Sequence, residues 1–325
     1  FKRKSRSESL SNKTLAATTL SGQLTGADQT VSAINLKDYG EITNALGNTT
    51  GAKTIDLALG NSVTATTTGA TNTGLGHQSL KSNTTGSGNV AVGFRSGFAN
   101  ETSSNNVSVG QDSLRCNTGS NNTALGRNAL ENNTTASDNT AVGMSALVTN
   151  TTGHSNVAIG QGASQATTDG DQNTAVGTSA LTTATTAGSN TAIGHDALCA
   201  TTTGGQNNAF GDGVMSANTT GCRNVAMGNG AMIKNTEGDC NTAIGHIALQ
   251  CNTTGNNLTA IGADALHDST TSSNNTAVGY LSLACNTTGG GNTAIGGGNA
   301  LDTNTTGSNN VAVGNNALDA NTTAD

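Results

Sequence analysis

Residues 139–155 read Asn-Thr-Ala-Val-Gly-Met-Ser-Ala-Leu-Val-Thr-Asn-Thr-Thr-Gly-His-Ser, and the same pattern begins again at Asn156. A glycine that follows one large apolar residue marks each copy, and we call it the repeat glycine. It occurs fifteen times, from Gly76 to Gly314, and twelve of the fourteen intervals are seventeen residues long. A fixed short period is typical of a solenoid, in which each repeat forms one coil of a stack.

Each position of the repeat has its own chemistry. Asn lies four residues before the repeat glycine in fourteen copies, with Leu258 as the exception. A small residue lies two before the glycine, a large apolar residue directly before it, and usually Leu four after it. We take the following as the defining structural positions of the array: Asn139, Val142, Gly143, Leu147, Asn156, Ile159, Gly160, Asn173, Val176, Gly177, Asn190, Ile193 and Gly194.

The three residues before the repeat glycine, such as Val-Ala-Ile or Thr-Ala-Val, predict a short strand. Side chains alternate along a strand, so the β-branched residues share one face and alanine takes the other. We expect both faces to be buried, with two strands and two turns per coil. Coils would then stack at about 4.8 Å, fifteen of them rising about 70 Å, and stacked Asn would form a hydrogen-bonded ladder. A solenoid of helices is disfavoured, because seventeen residues rich in Gly, Asn, Thr and Val cannot hold two helices.

The composition indicates a thin core. Leu, Ile, Val and Phe supply 52 of 325 residues, while only 10% of residues are charged and the net charge is −7. One coil offers few apolar side chains, so a lone chain gains little from burial at about 25 cal/mol per Å². We therefore predict an all-β β-solenoid (β-roll or β-helix) of about fifteen coils, intertwined or packed as a parallel homotrimer. A stable monomeric β-helix is the alternative.

The repeat defines two domains, residues 1–70 and 71–325. The first is predicted to be a basic arm (residues 1–10) followed by a small β-rich adaptor for attachment, with strands at 14–24, 30–36 and 54–60. The second is the solenoid. The sequence stops at Asp325 in the middle of a repeat, so we expect either more chain or a subunit junction there.

The sequence predicts no catalytic, cofactor or metal site. The histidines at 77, 195 and 246 follow the repeat glycine in a variable position and are expected to be surface residues. The run Asp169-Gly170-Asp171 offers a weak calcium alternative, and Cys-x-x-Cys pairs typical of zinc sites are absent from the sequence. We expect no enzyme activity, no nucleic-acid partner and no membrane span. Asn-Thr-Thr also fits the N-glycosylation pattern, although turn chemistry already explains it.

Cysteine spacing suggests one disulfide. Cys222 and Cys240 fall in adjacent coils one residue out of register, within the reach of about 5–6 Å between Cα atoms that a disulfide needs. The alternative is six idle thiols.

The stretches Asn156-Val157-Ala158-Ile159-Gly160 and Asn310-Val311-Ala312-Val313-Gly314 resemble the repeat arrays of bacteriophage tail and virion fibres. They are also similar to head repeats of trimeric autotransporter adhesins, although those repeats are usually shorter. The resemblance covers residues 71–325 and implies a structural fibre on a virion surface or outside the cell. Its expected partners are two further copies, a virion attachment protein bound through the N-terminal region, and a host-surface glycan or receptor. The alternatives are a filament subunit polymerising end to end and a polysaccharide-cleaving β-helix, which would need paired carboxylates.

Overall fold

The computed structural model describes residues 57–59 and 68–325, and these form a parallel β-solenoid with no helix among them. Each coil contributes one three-residue strand, and sixteen strands lie side by side in chain order in a single parallel sheet. The strands are β1 Leu57–Leu59, β2 Thr73–Leu75, β3 Val90–Val92, β4 Val107–Val109, β5 Thr123–Leu125, β6 Thr140–Val142, β7 Val157–Ile159, β8 Thr174–Val176, β9 Thr191–Ile193, β10 Asn208–Phe210, β11 Val225–Met227, β12 Thr242–Ile244, β13 Thr259–Ile261, β14 Thr276–Val278, β15 Thr293–Ile295 and β16 Val311–Val313.

The prediction of two strands per coil is wrong for the described coils. The segment after the repeat glycine forms turns, because the residues two and four beyond the glycine have positive φ, as at Ser145 (58°) and Leu147 (50°). Left-handed residues cannot continue an extended strand. The segment still bonds to the next coil, since Leu147 N–H donates to the carbonyl oxygen of Ala163 at 3.1 Å.

The interior of each coil holds small side chains and one large one. The strand alanines point inwards and are fully buried, as are Ala146 and Leu147 on the turn side. The β-branched residues of the same strands point outwards and keep part of their surface exposed. The expectation that both faces of the strand are buried is therefore wrong for the single chain. Only the face that carries alanine is turned towards the interior of the coil, where the space beside the strand fits a methyl group.

Two ladders of buried Asn join the coils, which confirms the predicted ladder. In the first, Asn156 N–H donates to Oδ1 of Asn139 at 2.9 Å, and its own Nδ2 donates to the carbonyl oxygen of Gly170 at 2.8 Å. In the second, at the Asn-Thr-Thr-Gly turn, Nδ2 of Asn150 donates to Oδ1 of Asn133 at 2.8 Å. Stacking identical side chains thus supplies most of the hydrogen bonds that buried Asn needs inside a narrow core, although Oδ1 of Asn150 has no partner where Thr167 interrupts the second ladder.

The repeat glycine is required by both conformation and space. Gly143 has φ 132°, and a Cβ added there would lie 2.5 Å from the carbonyl oxygen of Gly160 in the next coil. A Cβ would crowd the backbone of the next coil at every repeat glycine except Gly314, where it meets nothing within 4 Å. The column therefore fixes how closely the coils stack.

The stack tolerates coils one residue shorter or longer. Gly110 to Gly126 spans sixteen residues and Gly296 to Gly314 spans eighteen, yet β4 pairs with β5 and β15 with β16 in parallel register. The difference is absorbed in the turns, where the chain is not constrained by strand pairing.

The sheet begins before residue 71, because β1 pairs in parallel with β2 and places Leu59 beside Leu75. The strand predicted within residues 54–60 is thereby confirmed for residues 57–59. The predicted basic arm (1–10) and the strands predicted at 14–24 and 30–36 lie outside the described residues.

Candidate functional surface

The outer face of the sheet carries an uncharged strip along the solenoid, which we call the apolar strip. It consists of the residues three and one before each repeat glycine, from Thr73 to Val313. The first row is Thr, Val or one Asn, and no charged residue occurs in either row over the fifteen coils. The second row is Leu75, Val92, Val109, Leu125, Val142, Ile159, Val176, Ile193, Phe210, Met227, Ile244, Ile261, Val278, Ile295 and Val313.

Large apolar side chains of this strip are exposed in the single chain. Ile159 is 40% exposed and Leu125 is 47% exposed. Fifteen coils at about 4.8 Å and two rows about 7 Å apart give a strip on the order of 500 Å², of which the second row, the one made entirely of large apolar residues, supplies about half. The largest apolar patch of a typical monomer covers about 300–600 Å² and is often functional. The strip is thus the strongest candidate for a functional surface among the described residues.

The defining positions of the repeat divide between core and surface. The Asn, Leu and repeat-glycine columns build the interior and the coil contacts. The residues before the glycine lie on the outer face, for example Val142, which is half-buried, and Ile193, which is exposed. The sequence pattern identified both groups but did not predict which of them faces outwards.

The Asn of the Asn-Thr-Thr-Gly turns is unsuited to glycosylation in the folded chain. Each of these side chains is fully buried, and each Nδ2 donates to the carbonyl oxygen of the glycine or alanine three residues later. Glycan transfer uses that same nitrogen, which is inaccessible here. The positions concerned are Asn83, Asn133, Asn218, Asn252 and Asn304.

Polar groups that could do chemistry are mostly occupied by contacts within the solenoid. The histidines at 77, 195 and 246 are exposed, as predicted. Oδ1 of Asp171 accepts from the N–H of His154 at 2.6 Å, and Oδ1 of Asp169 accepts from the hydroxyl of Thr152 at 2.5 Å. The hydrogen bond from Thr152 lowers the pKa of Asp169. The two carboxylates therefore act as coil-to-coil ties, which leaves the calcium alternative without support.

An ion-pair chain crosses three coils near the start of the array. Arg95 Nε lies 3.0 Å from Oδ1 of Asp112, and Arg115 Nη2 lies 2.8 Å from Oε1 of Glu131. Each carboxylate faces a guanidinium rather than a second carboxylate. This arrangement stabilises the stack and does not match the paired acids of a glycosidase.

A shallow hollow of about 460 Å³ lies beside Gly188 and Gly205, which occupy the same position in two successive coils and leave it without a side chain. Its other lining residues are Ser189, Thr203, Gln206, Cys222 and Arg223. None of these is acidic, so the hollow offers no general acid or base for cleaving a polysaccharide.

The structure brings Cys222 and Cys240 into adjacent coils, as their spacing predicts. The N–H of Cys240 donates to the carbonyl oxygen of Cys222 at 3.0 Å, and both thiols are free. The disulfide between them stays a prediction.

Sequence reasoning missed a mixed cluster formed by Cys251, His267 and Asp268. One ligand atom from each lies within 4.8 Å of the others. The available signal was the spacing, because Cys251 precedes His267 by sixteen residues and Asp268 by seventeen. Residues one period apart lie above one another in adjacent coils. A search for short motifs such as Cys-x-x-Cys cannot find a site whose members are one coil apart.

No known family model matches the chain, and no curated protein is similar to it. Within the part of the chain that the structure describes, no helix is long and apolar enough to cross a membrane. The fold therefore defines the class of the described residues, a parallel β-solenoid repeat protein.

Proposed function

We propose that the chain is a structural fibre protein of a phage virion, built from parallel copies that share a core along their apolar strips. The observation that carries this proposal is the uncharged outer face, which the single chain leaves partly exposed over fifteen coils. Burying it removes about 250 Å² of apolar surface per chain from water, worth on the order of 6 kcal/mol before association costs.

A second copy of the chain fits this face better than an unrelated partner does. Two strips with the same repeat have the same spacing along the solenoid, so every coil meets an equivalent coil. The absence of charge in both rows means that identical faces do not repel each other. Three copies around one axis enclose the strips in a common core, which is the arrangement implied by the resemblance to fibres and adhesin heads.

The fibre assignment extends to location and partners. The solenoid would act as a stiff spacer on the virion surface or outside the cell, and residues 1–70 would hold it to a virion attachment protein. The exposed turn corners would face the host, where a surface glycan or receptor is the expected partner. We propose no enzymatic role, because the carboxylates of Asp112 and Glu131 are held in ion pairs and the hollow contains no acidic residue.

Light scattering of the native chain, together with negative-stain microscopy, tests the proposal. We expect a discrete particle of about three times 31.9 kDa, seen as a short rod. The double variant Ile159→Lys/Ile193→Lys places charges in the strip and should yield monomers. Thr203→Lys, at an exposed turn position away from the strip, is the control and should leave the trimer intact.

Two outcomes would contradict the trimeric fibre. A monomeric wild-type chain would show that the strip serves another purpose. Long filaments of variable length would favour the end-to-end alternative instead, especially if the double variant still formed them.

A further inference from the structure

We propose that Cys251, His267 and Asp268 form a binding site for a divalent metal ion of the zinc type. The three side chains come from two consecutive coils, and their ligand atoms lie within 4.8 Å of one another. Zinc binds thiolate sulfur at about 2.3 Å and imidazole nitrogen or carboxylate oxygen at about 2.0–2.2 Å. A separation of 4.8 Å would have to shorten by about 1 Å, and the shorter distance between His267 and Asp268 would have to lengthen, for all three atoms to reach one ion.

The backbone holds the three residues in place. The N–H of Cys251 donates to the carbonyl oxygen of His267 at 3.0 Å, which ties the two coils together at the site. The N–H of Asp268 donates to the carbonyl oxygen of Ala284 at 2.8 Å, which anchors the same segment to the following coil. All three residues lie in turns, but these hydrogen bonds fix the turns to the neighbouring coils, so little ordering is needed when the ion binds.

The side chains already approach one another. Nδ1 of His267 lies 2.7 Å from Oδ1 of Asp268, with the imidazole 27% and the carboxylate 48% exposed. A metal ion can take the place of the proton shared by such a pair, with the two atoms moving slightly apart. The exposure leaves a path for the ion and room for a water molecule as the fourth ligand, as in open zinc sites.

The electrostatic surroundings favour a cation. Burial raises the pKa of Asp302, and the negative charges of Asp268 and Asp319 raise it further. This corner of the solenoid therefore concentrates negative charge. The ammonium of Lys234 lies 3.6 Å from Sγ of Cys251, and a metal ion would have to displace it from the sulfur.

Sulfur, nitrogen and oxygen in one set select a borderline ion such as Zn²⁺ or Co²⁺ over Ca²⁺ or Mg²⁺, which prefer oxygen alone. Binding converts the thiol of Cys251 into a thiolate and releases its proton to solvent. The bound ion would link two coils through side chains, in addition to the backbone bonds that already join them.

Titration of the full chain with Co²⁺ tests the site, because cobalt bound to a thiolate has a charge-transfer absorption that free cobalt lacks. We expect one ion per chain and displacement by one equivalent of Zn²⁺. Loss of a residue that only hydrogen-bonds to a metal ligand weakens metal binding by about 10–100-fold. Cys251→Ser and His267→Ala each remove a ligand itself and should weaken cobalt binding by more than that.

Cys116→Ser is the matched control. Cys116 occupies the same position of its coil, and its N–H donates to the carbonyl oxygen of Glu131 at 2.9 Å, but the next coil offers Glu131 and Asn132 in place of His267 and Asp268. This variant should bind as tightly as the wild type. Absence of the charge-transfer band, or a band that survives Cys251→Ser, would overturn the proposal.

Discussion

Replacing Asn156 by alanine tests whether the Asn ladder holds the coils together. The side chain of Asn156 takes part in three hydrogen bonds inside the core. Its Oδ1 accepts from the N–H of Asn173 at 2.9 Å and from Nδ2 of Asn173 at 3.2 Å. Its Nδ2 donates to the carbonyl oxygen of Gly170 at 2.8 Å. Alanine removes all three bonds at once.

The expected loss follows from these bonds and their surroundings. Each neutral hydrogen bond contributes about 1 kcal/mol, and a buried group left without a partner costs about 1–3 kcal/mol. Asn173 and Gly170 are both buried, so the N–H of the first and the carbonyl of the second lose their partners without access to water. We therefore expect Asn156→Ala to lower the free energy of unfolding by about 3–5 kcal/mol.

Amide hydrogen exchange localises the effect, since each coil of a solenoid contacts only its neighbours. Protection of the Asn173 amide should fall strongly, while amides of distant coils should change little, and the denaturant midpoint should decrease. Asn132→Ala is the control, because that side chain is only half-buried and lies on the turn side. If Asn156→Ala shifted the midpoint no more than Asn132→Ala does, the ladder would not be stabilising.

The one natural break in the ladder gives the reverse experiment. Leu258 N–H donates to Oδ1 of Asn241 at 2.9 Å, but its own side chain has no acceptor for the N–H of Asn275 in the next coil. Leu258→Asn should supply that acceptor and protect the Asn275 amide from exchange. Unchanged exchange at Asn275 would contradict the reasoning.

Three further predictions concern other columns. Gly143→Ala should prevent close stacking of two coils and sharply lower the denaturant midpoint. Gly297→Ala is its control and should have little effect, because an added Cβ there meets nothing within 4 Å. Equal midpoints for the two variants would refute the reasoning. Mild oxidation should join Cys222 to Cys240, seen as one linked peptide in a non-reducing digest, and alkylation of both thiols after oxidation would exclude it. Because the pKa of Asp302 is raised by burial and by neighbouring carboxylates, stability should decrease as pH rises through that pKa. Asp302→Asn should therefore raise the melting temperature at pH 7 and lose this advantage below about pH 3.9; a pH-independent difference would speak against the cause.

The period made most of the fold predictable. Each position of the repeat shows one residue type over many copies, so the stack of coils, the short strand before the repeat glycine and the Asn ladder could be predicted from the sequence. The strand near Leu57–Leu59 was also detectable, because Leu57-Ala58-Leu59-Gly60 repeats the strand motif sixteen residues before Gly76. Irregular spacing on either side concealed its place in the sheet.

The second half of the coil could not be predicted by the same reasoning. Leu favours helices and is rarely found at positive φ, yet the turn-side leucines, for example Leu130 and Leu181, have φ near 50° and are fully buried. Burial of the side chain in the coil interior outweighs the local preference. The direction in which each strand face points could not be predicted either. Alternation shows that a strand has two faces but does not say which of them a single chain buries.

The parallel sheet in which every coil repeats the one below has a consequence for length. Deleting residues 156–172 would join Ser155 to Asn173 and leave the order of positions in the repeat unchanged. The solenoid would lose one coil, about 4.8 Å of height, and no column would be broken. The length of such a solenoid changes by whole coils, so the number of encoded repeats sets its height in increments of about 4.8 Å.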